Sequence, residues 1–290
     1  MENNLEVKNL RKKYNGFELK DINLELPKGM IMGLIGENGA GKTTTIKSIL
    51  NLIKIDKGEI KIFGLILKKM KGIIKEDIGV VLDDGFFSEY LNPADINKIM
   101  RKMYKNWDEK LYFKYLEDFK LPKNKISKEF SSGMKMKLKI AVALSHHPKL
   151  LILDEPTSGL DPVARSEILD IFQDFIQNED NSIFVSSHIT SDLEHIADYI
   201  TFINEGKIVL SKTRDELLEM YGIVKCSKSE FEKINKNDYV KFKVNRYEYD
   251  VLVEDKSKFK RKYDFKIIDK PTLDDIMLIY IKGEKSDENY

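Results

Sequence analysis

Apolar positions recur along the chain in two rhythms, and the changes of rhythm mark the elements. Residues 5–9 and 22–26 alternate apolar and polar, the second run ending at Pro27-Lys28-Gly29. That period of two predicts strands of a half-exposed sheet. Residues 30–35 are a short apolar strand, and residues 44–53 then place Ile46, Ile49, Leu50 and Ile53 at helical spacing. Short strands follow at 59–63 and 78–82, the second running into Asp83-Asp84-Gly85. From 95 to 119 the rhythm predicts mostly helix, with Ile96, Ile99, Met100, Met103 and Tyr104 on one face. Trp107, Tyr112, Phe113 and Tyr115 read as core. The pattern breaks at 127–134, and a second helix spans 135–145.

Residues 150–153 and 182–186 are apolar runs of strand length, read as strands buried on both faces of a parallel sheet. Between them the turn Ser158-Gly159-Leu160-Asp161-Pro162 opens a helix carrying Ile168, Ile171, Phe172, Phe175 and Ile176 on one face. Residues 191–199 read helical. Residues 200–203 and 207–210 form a hairpin about Asn204-Glu205-Gly206, and a short helix at 215–221 stops at Gly222. The texture then changes. Residues 239–244 and 248–253 alternate around Asn245-Arg246, and Pro271-Thr272 opens a last helix through Ile279. The fold class is α/β, divided into a unit at 1–222 and a small α+β extension at 223–290.

One stretch carries chemistry outright. Residues 36–44 read GENGAGKTT, with Gly36, Gly41, Lys42 and Thr43 in the places of G-x-x-x-x-G-K-[ST]. A strand precedes it and a helix follows, the context in which such a loop binds phosphate. Glycines let the backbone curl so that N–H groups point inward, and the helix N-terminus adds partial positive charge. Asn38, Gly39, Ala40, Gly41, Lys42, Thr43 and Thr44 are the candidate nucleotide contacts. Lys42 suits the β- and γ-phosphates, and the Thr43 hydroxyl suits Mg²⁺. A second acidic feature follows the run at 150–153: Asp154 suits Mg²⁺, and Glu155 suits a general base that polarises the attacking water. His188 ends the next strand, where it can hydrogen-bond a γ-phosphate; His146, His147 and His195 read as ordinary structural histidines. Tyr14, in Lys13-Tyr14-Asn15-Gly16, is either a rim tyrosine or a flat surface for an adenine ring. Asp83 is either a loop cap or a metal-site carboxylate. Phe86, Phe87 and Tyr90 are either core or the lining of a groove for another protein.

Composition narrows the classes. The chain is 42% hydrophobic and 33% charged with a formal net charge of +1, so a core is available and nothing electrostatic favours a nucleic-acid partner. Cys226 is the single cysteine, which allows no intrachain disulfide and fits a reducing cytoplasm. The N-terminus lacks the pattern of a signal peptide, and no apolar run approaches the ~18 residues that span a bilayer.

The order of Tyr14, GENGAGKTT, FSSGM (130–134), LLILDEP, SGLD (158–161) and SSH (186–188) resembles the ATP-binding subunit of an ABC transporter over about residues 5–222. The resemblance implies a P-loop NTPase with a RecA-like core, an antiparallel β subdomain, a helical subdomain at about 92–145, and ATP with Mg²⁺ as ligands. It implies a head-to-tail dimer in which Ser131 and Gly133 of one copy face the γ-phosphate on the other, with Asp161 coupling the two sites. It also implies a separate transmembrane permease partner and a place on the inner face of the cell membrane. Two departures stand out. Ser132 and Met134 replace a glycine and a glutamine of the usual signature, and Asp83 stands where the lid usually begins with glutamine. Hydrolysis is therefore expected to be slow and partner-dependent. The FSSGMKMKL stretch, the Asp83-Asp84 lid and the end TLDDIMLIYIKG resemble drug and peptide exporters of the bacitracin and phenol-soluble-modulin types. The expected function is the ATP-hydrolysing motor of such an exporter; the alternatives are a soluble ABC ATPase or an ATP-dependent sensor without transport.

Overall fold

The computed structural model describes residues 2–67, 76–82, 87–246, 248–264 and 268–284. The chain opens with β1 (Asn3–Tyr14) and β2 (Phe17–Pro27), then β3 (Ile31–Ile35), α1 (Lys42–Ile49), β4 (Lys57–Ile62), β5 (Leu65–Ile66) and β6 (Ile78–Val81). Helices α2 (Pro93–Met103), α3 (Glu109–Asp118) and α4 (Ser132–Leu144) follow. Next come β7 (Leu150–Asp154), α5 (Pro162–Ile176), β8 (Ser182–Ser187), α6 (Thr190–Ile196), β9 (Tyr199–Asn204) and β10 (Lys207–Thr213). The last stretch holds β11 (Gly222–Cys226), α7 (Lys228–Phe231), β12 (Lys241–Val244), β13 (Tyr249–Val253), α8 (Lys256–Lys262), β14 (Ile268–Asp269) and α9 (Leu273–Lys282).

Among the described residues these strands make three sheets, ordered β2-β1-β4-β5, β10-β9-β3-β8-β7-β6 and β12-β13-β11-β14. The central one is parallel from β9 to β6, with β10 returning antiparallel. One face of it packs with α4, α5 and α6 through Ile140, Ile168, Phe172 and Leu193. The other, through Met32, Leu34, Ile152 and Phe184, meets α1 and the first antiparallel sheet. Helices α2, α3 and α4 enclose a smaller core around Ile96, Tyr112, Leu116 and Leu138. The carboxyl ends of parallel strands, where such sheets bind ligands, therefore carry Ile35, Asp154 and Ser187. No helix among the described residues is long and apolar enough to cross a membrane.

The α/β class and the order of elements match the sequence reading, with instructive departures. β1 continues past residue 9 to Tyr14, because register shifts between Val7 and Leu10 and between Leu10 and Lys12 break the alternation without ending the strand. Tyr14 thus closes a strand opposite Phe17 rather than lying in a turn. The helix expected over 95–119 is two. Asn92 caps α2 by accepting from the Asp95 N–H at 2.9 Å, and Asp108 caps α3 by accepting from the Leu111 N–H at 2.9 Å. The apolar rhythm runs across the break because Trp107 stays packed there, its Nε1 donating to Asn97 Oδ1 at 2.8 Å. α4 starts at Ser132 rather than 135, with Ser131 as its cap. The short helix expected at 215–221 is present as Glu216–Met220, but Gly222, which lacks the left-handed backbone of a helix stop, starts β11. A Cβ there would lie 2.7 Å from Ile268 Cγ2 and 2.9 Å from Lys256 Cβ, so it is close packing that calls for glycine. The extension is α+β, and α9 buries Leu273, Ile276 and Ile279 in the same core as Leu193 and Ile196.

His146 is a core histidine, as expected. Its ring stacks on Tyr104 with centroids 4.1 Å apart, and Nδ1 lies 2.8 Å from the Glu76 carbonyl. Burial holds its pKa below the ordinary value of 6.5. Below about pH 6.5 the unfolded chain binds a proton that the fold refuses, so this contribution is complete above that pH and declines as pH falls. The urea midpoint of the wild type should exceed that of His146→Gln at pH 7.5, and the gap should narrow by pH 5.5.

Candidate active site

The loop between β3 and α1 is shaped by close packing. A Cβ on Gly36 would lie 2.4 Å from the Ile203 carbonyl oxygen, so only glycine fits. Gly41, at φ 116°, stands where a Cβ would meet Leu19 Cδ2 at 2.7 Å. The loop is tied to its surroundings by Gly206 N–H donating to Ala40 O at 3.0 Å and Thr45 Oγ1 donating to Gly41 O at 2.9 Å. α1 begins at Lys42 with no side-chain cap and no acidic residue in its first turn. Its leading N–H groups are thus left for an anion. Asn38, Gly39 and Thr43 are exposed, Thr44 is half-buried, and Ala40 is buried.

The Lys42 side chain turns back into this loop. Its Nζ donates to Gly36 O at 2.7 Å and lies 3.0 Å from Glu155 Oε1. The contact with Glu155 is an ion pair rather than a directed hydrogen bond, and Glu155 Oε1 is buried with no hydrogen-bond donor of its own. The other oxygen, Oε2, accepts from His188 Nδ1 at 2.6 Å and from the His188 backbone N–H at 3.2 Å. A carboxylate partner on Nδ1 requires that nitrogen to carry the proton, which leaves Nε2 as an acceptor or as a second donor. Glu155 holds this position at φ 52°, a left-handed backbone that costs a non-glycine residue about 1–3 kcal/mol.

Between β7 and β3 stands β8, so the carboxylates reach the loop across an intervening strand. Lys42 spans the distance, its Nζ meeting Glu155 at 3.0 Å. β8 also supplies Ser186, which has no assigned role in the sequence reading. Ser186 lies opposite Asp154 in register, and its Oγ donates to Asp154 Oδ1 at 2.6 Å. The Glu155 N–H in turn donates to Ser186 O at 3.1 Å and to Ser186 Oγ at 3.2 Å. One serine therefore fixes both acidic residues. Its signal in the sequence is the Ser186-Ser187 pair ending an otherwise apolar buried strand.

Asp154 is 2% exposed. No cluster of three or more His, Cys, Asp and Glu side chains among the described residues suits a metal. A donor set of one hydroxyl and one carboxylate fits Mg²⁺, which keeps several waters and takes substrate phosphate oxygens, better than it fits a metal held wholly by protein.

A second group lies at the starts of α4 and α5. Ser131 Oγ accepts from Met134 N–H at 3.2 Å, and Asp161 Oδ1 accepts from the Val163 and Ala164 N–H groups at 3.0 Å each. The Ala164 and Val163 N–H bonds hold the Asp161 carboxyl below its usual range. Gly133 packs so closely on α5 that a Cβ would meet Ala164 Cβ at 3.1 Å. Among the described residues, no hydrogen bond joins Ser131, Gly133 or Asp161 to the phosphate loop. Arg165 Nη1 lies 3.9 Å from Asp192 Oδ1, setting α5 against α6. Tyr14 is 43% exposed, with Lys12 Nζ 5.0 Å from its ring centroid. Tyr90 is exposed beneath Lys128, whereas Phe87 packs into the helical core. Asp83 and Phe86 lie outside the described residues.

Comparison with known proteins accords with this geometry. A family model described as "ABC transporter" matches residues 19–158. The bacitracin transport ATP-binding protein BcrA of Enterococcus faecalis is 37% identical over 220 residues, which cover 75% of this chain and 71% of that protein. The lantibiotic transport ATP-binding protein SrtF of Streptococcus pyogenes is 38% identical over 214 residues, covering 73% and 91%. A solved ATP-binding subunit of an ABC transporter superposes with a TM-score of 0.66 at 29% identity, covering 73% of this chain and 91% of that one. A dimeric ATP-binding cassette solved in a post-hydrolysis state with ADP and Pi superposes at 0.65 over 72% of this chain and 98% of that one. At 21% identity that likeness speaks for the fold alone.

Ser186→Ala tests the site's internal support. Removing the hydroxyl leaves the buried Asp154 carboxylate short of a donor, and urea unfolding should show a loss of about 1–3 kcal/mol. A change below about 0.5 kcal/mol, the scale of a neutral surface substitution, would contradict the role given to Ser186.

Proposed function

Because the chain belongs to the ATP-binding subunits of ABC transporters, an ATPase family, we propose that it is the motor subunit of an exporter that moves antimicrobial peptides or drugs through a separate permease. The observation that carries the reading is the chain of contacts Lys42–Glu155–His188, which joins the phosphate loop to the ends of two further strands.

In this reading ATP lies along residues 38–44, with Tyr14 against its adenine. Lys42 leaves the Gly36 carbonyl to meet the β- and γ-phosphates. The proposed roles follow from position. Glu155 is the general base, supported by a buried Oε1 that lacks a hydrogen-bond donor. A water bonded there gives its proton to the carboxylate as its oxygen attacks the γ-phosphorus. The bond to the β,γ-bridging oxygen breaks, and ADP and inorganic phosphate result. His188, fixed through Nδ1, presents its free edge to the γ-phosphate. Mg²⁺, held by Thr43 and Asp154 with Asp83 as a further proposed ligand, would offset charge on the phosphates.

Completion of the site is proposed to need a second copy. Ser131 and Gly133 open α4, and Asp161 opens α5, away from their own loop; in a head-to-tail pair they would cover the partner's nucleotide. The permease is proposed to dock over Phe87, the exposed Tyr90 and α2, which places the chain in the cytoplasm on the inner face of the membrane. Residues 223–290 then form an accessory extension to the ATP-binding unit at 1–222. The cargo class rests on the relatives named for bacitracin and lantibiotic transport.

Glu155→Gln should lower ATP turnover by roughly 10²–10⁴-fold, the usual contribution of a general base, while ATP still binds. Lys42→Ala should lose ATP binding itself. Turnover by Glu155→Gln at the wild-type rate, in steady-state phosphate release, would overturn the assignment of the base.

A further inference from the structure

The extension does not sit apart from the ATP site. α6 begins at Thr190, two residues after His188. The link between them is short and fastened: Ile189 N–H donates to Ser187 Oγ at 2.9 Å, and Ser187 Oγ donates back to Ile189 O at 3.3 Å. A shift of α6 therefore moves His188, and His188 holds Glu155. On its other side α6 meets α9. Leu193, Ile196 and Ala197 share one core with Leu273, Ile276 and Ile279 of the extension. A directed hydrogen bond also joins the two helices. Glu194, on α6, accepts the backbone N–H of Leu273, the first residue of α9, through Oε1 at 2.6 Å. α9 is otherwise capped by its own Thr272–Asp275 box, so Glu194 adds an attachment rather than a missing cap. The Glu194 carbonyl receives Arg214 Nη1 at 3.4 Å, which fastens the same residue to the end of β10.

We propose that the C-terminal extension is a buttress for the catalytic histidine, acting through α6, and that Glu194 is the positioning residue joining the two. The proposal rests on the motor reading above and gives the extension a task within it. Holding α6 from outside keeps the His188–Glu155 contact in register with the loop. Loosening α9 slackens that contact without touching the nucleotide-binding residues. The geometry makes the extension the place from which the rate of hydrolysis is set.

The test uses the full chain. Glu194→Ala removes the acceptor and Glu194→Gln restores one. The expected result is a fall in kcat approaching about a hundredfold, the scale on which a misplacement of about 1 Å remote from the chemistry acts, with KM for ATP unchanged. Glu194→Gln should recover most of the loss. Circular dichroism melting identifies any variant that fails to fold; Glu194→Gln and the comparison of KM with kcat then decide. A wild-type kcat in Glu194→Ala, or no recovery in Glu194→Gln, would overturn the proposal while leaving the motor intact. Absence of Glu155-dependent hydrolysis in the wild type would overturn the motor reading and this proposal with it.

Discussion

The position of Glu155 is the constraint on which the site depends. Its backbone turns to φ 52° directly after the last residue of β7. That turn points the carboxylate back between two neighbours instead of out along the strand. One oxygen faces Lys42 and the other binds His188. The strain of a left-handed glutamate is about 1–3 kcal/mol, and the surrounding bonds from Ser186 and His188 are what offset it. Three segments far apart in the chain are thereby brought to one carboxylate. The parallel sheet supplies the register: β3, β8 and β7 run side by side, so their ends arrive at one edge.

Lys42 is 6% exposed and satisfied by a loop carbonyl and a carboxylate. An anion entering the loop competes for the same ammonium, and the helix N-terminus behind it favours the anion. In the proposed mechanism, Glu155 freed from Lys42 would keep its bond to His188 and gain an oxygen for water, linking binding and activation through one lysine. The starts of α4 and α5 present a second set of polar groups that do not reach this loop, which is the physical ground for proposing that another copy completes it.

Much of this was legible in the sequence because the signals are local. A glycine loop between strand and helix, an acidic pair after an apolar run and a histidine after the next strand each declare themselves within a few residues. What was not legible is non-local. Ser186 matters through its register opposite Asp154, and register between β7 and β8 cannot be read from either strand alone. The interposition of β8 is likewise a property of sheet order. The gap between α2 and α3 was hidden because Trp107 keeps the apolar rhythm while Asp108 caps a new helix. Gly222 looked like a helix stop, yet its reason is the approach of Ile268 and Lys256 from later in the chain. The sequence showed a change of texture at 223 but not that α9 returns to bury Leu273, Ile276 and Ile279 against α6.

Lys42 is proposed to exchange the Gly36 carbonyl and Glu155 for phosphate while His188 stays on Glu155. A crystal structure of the full chain with Mg²⁺ and a non-hydrolysable ATP analogue tests it directly. The expected result is nucleotide along residues 38–44, Lys42 Nζ on the terminal phosphates, and the His188–Glu155 contact retained. Nucleotide bound with Lys42 still seated on Gly36 and Glu155, or bound away from this loop, would contradict the account.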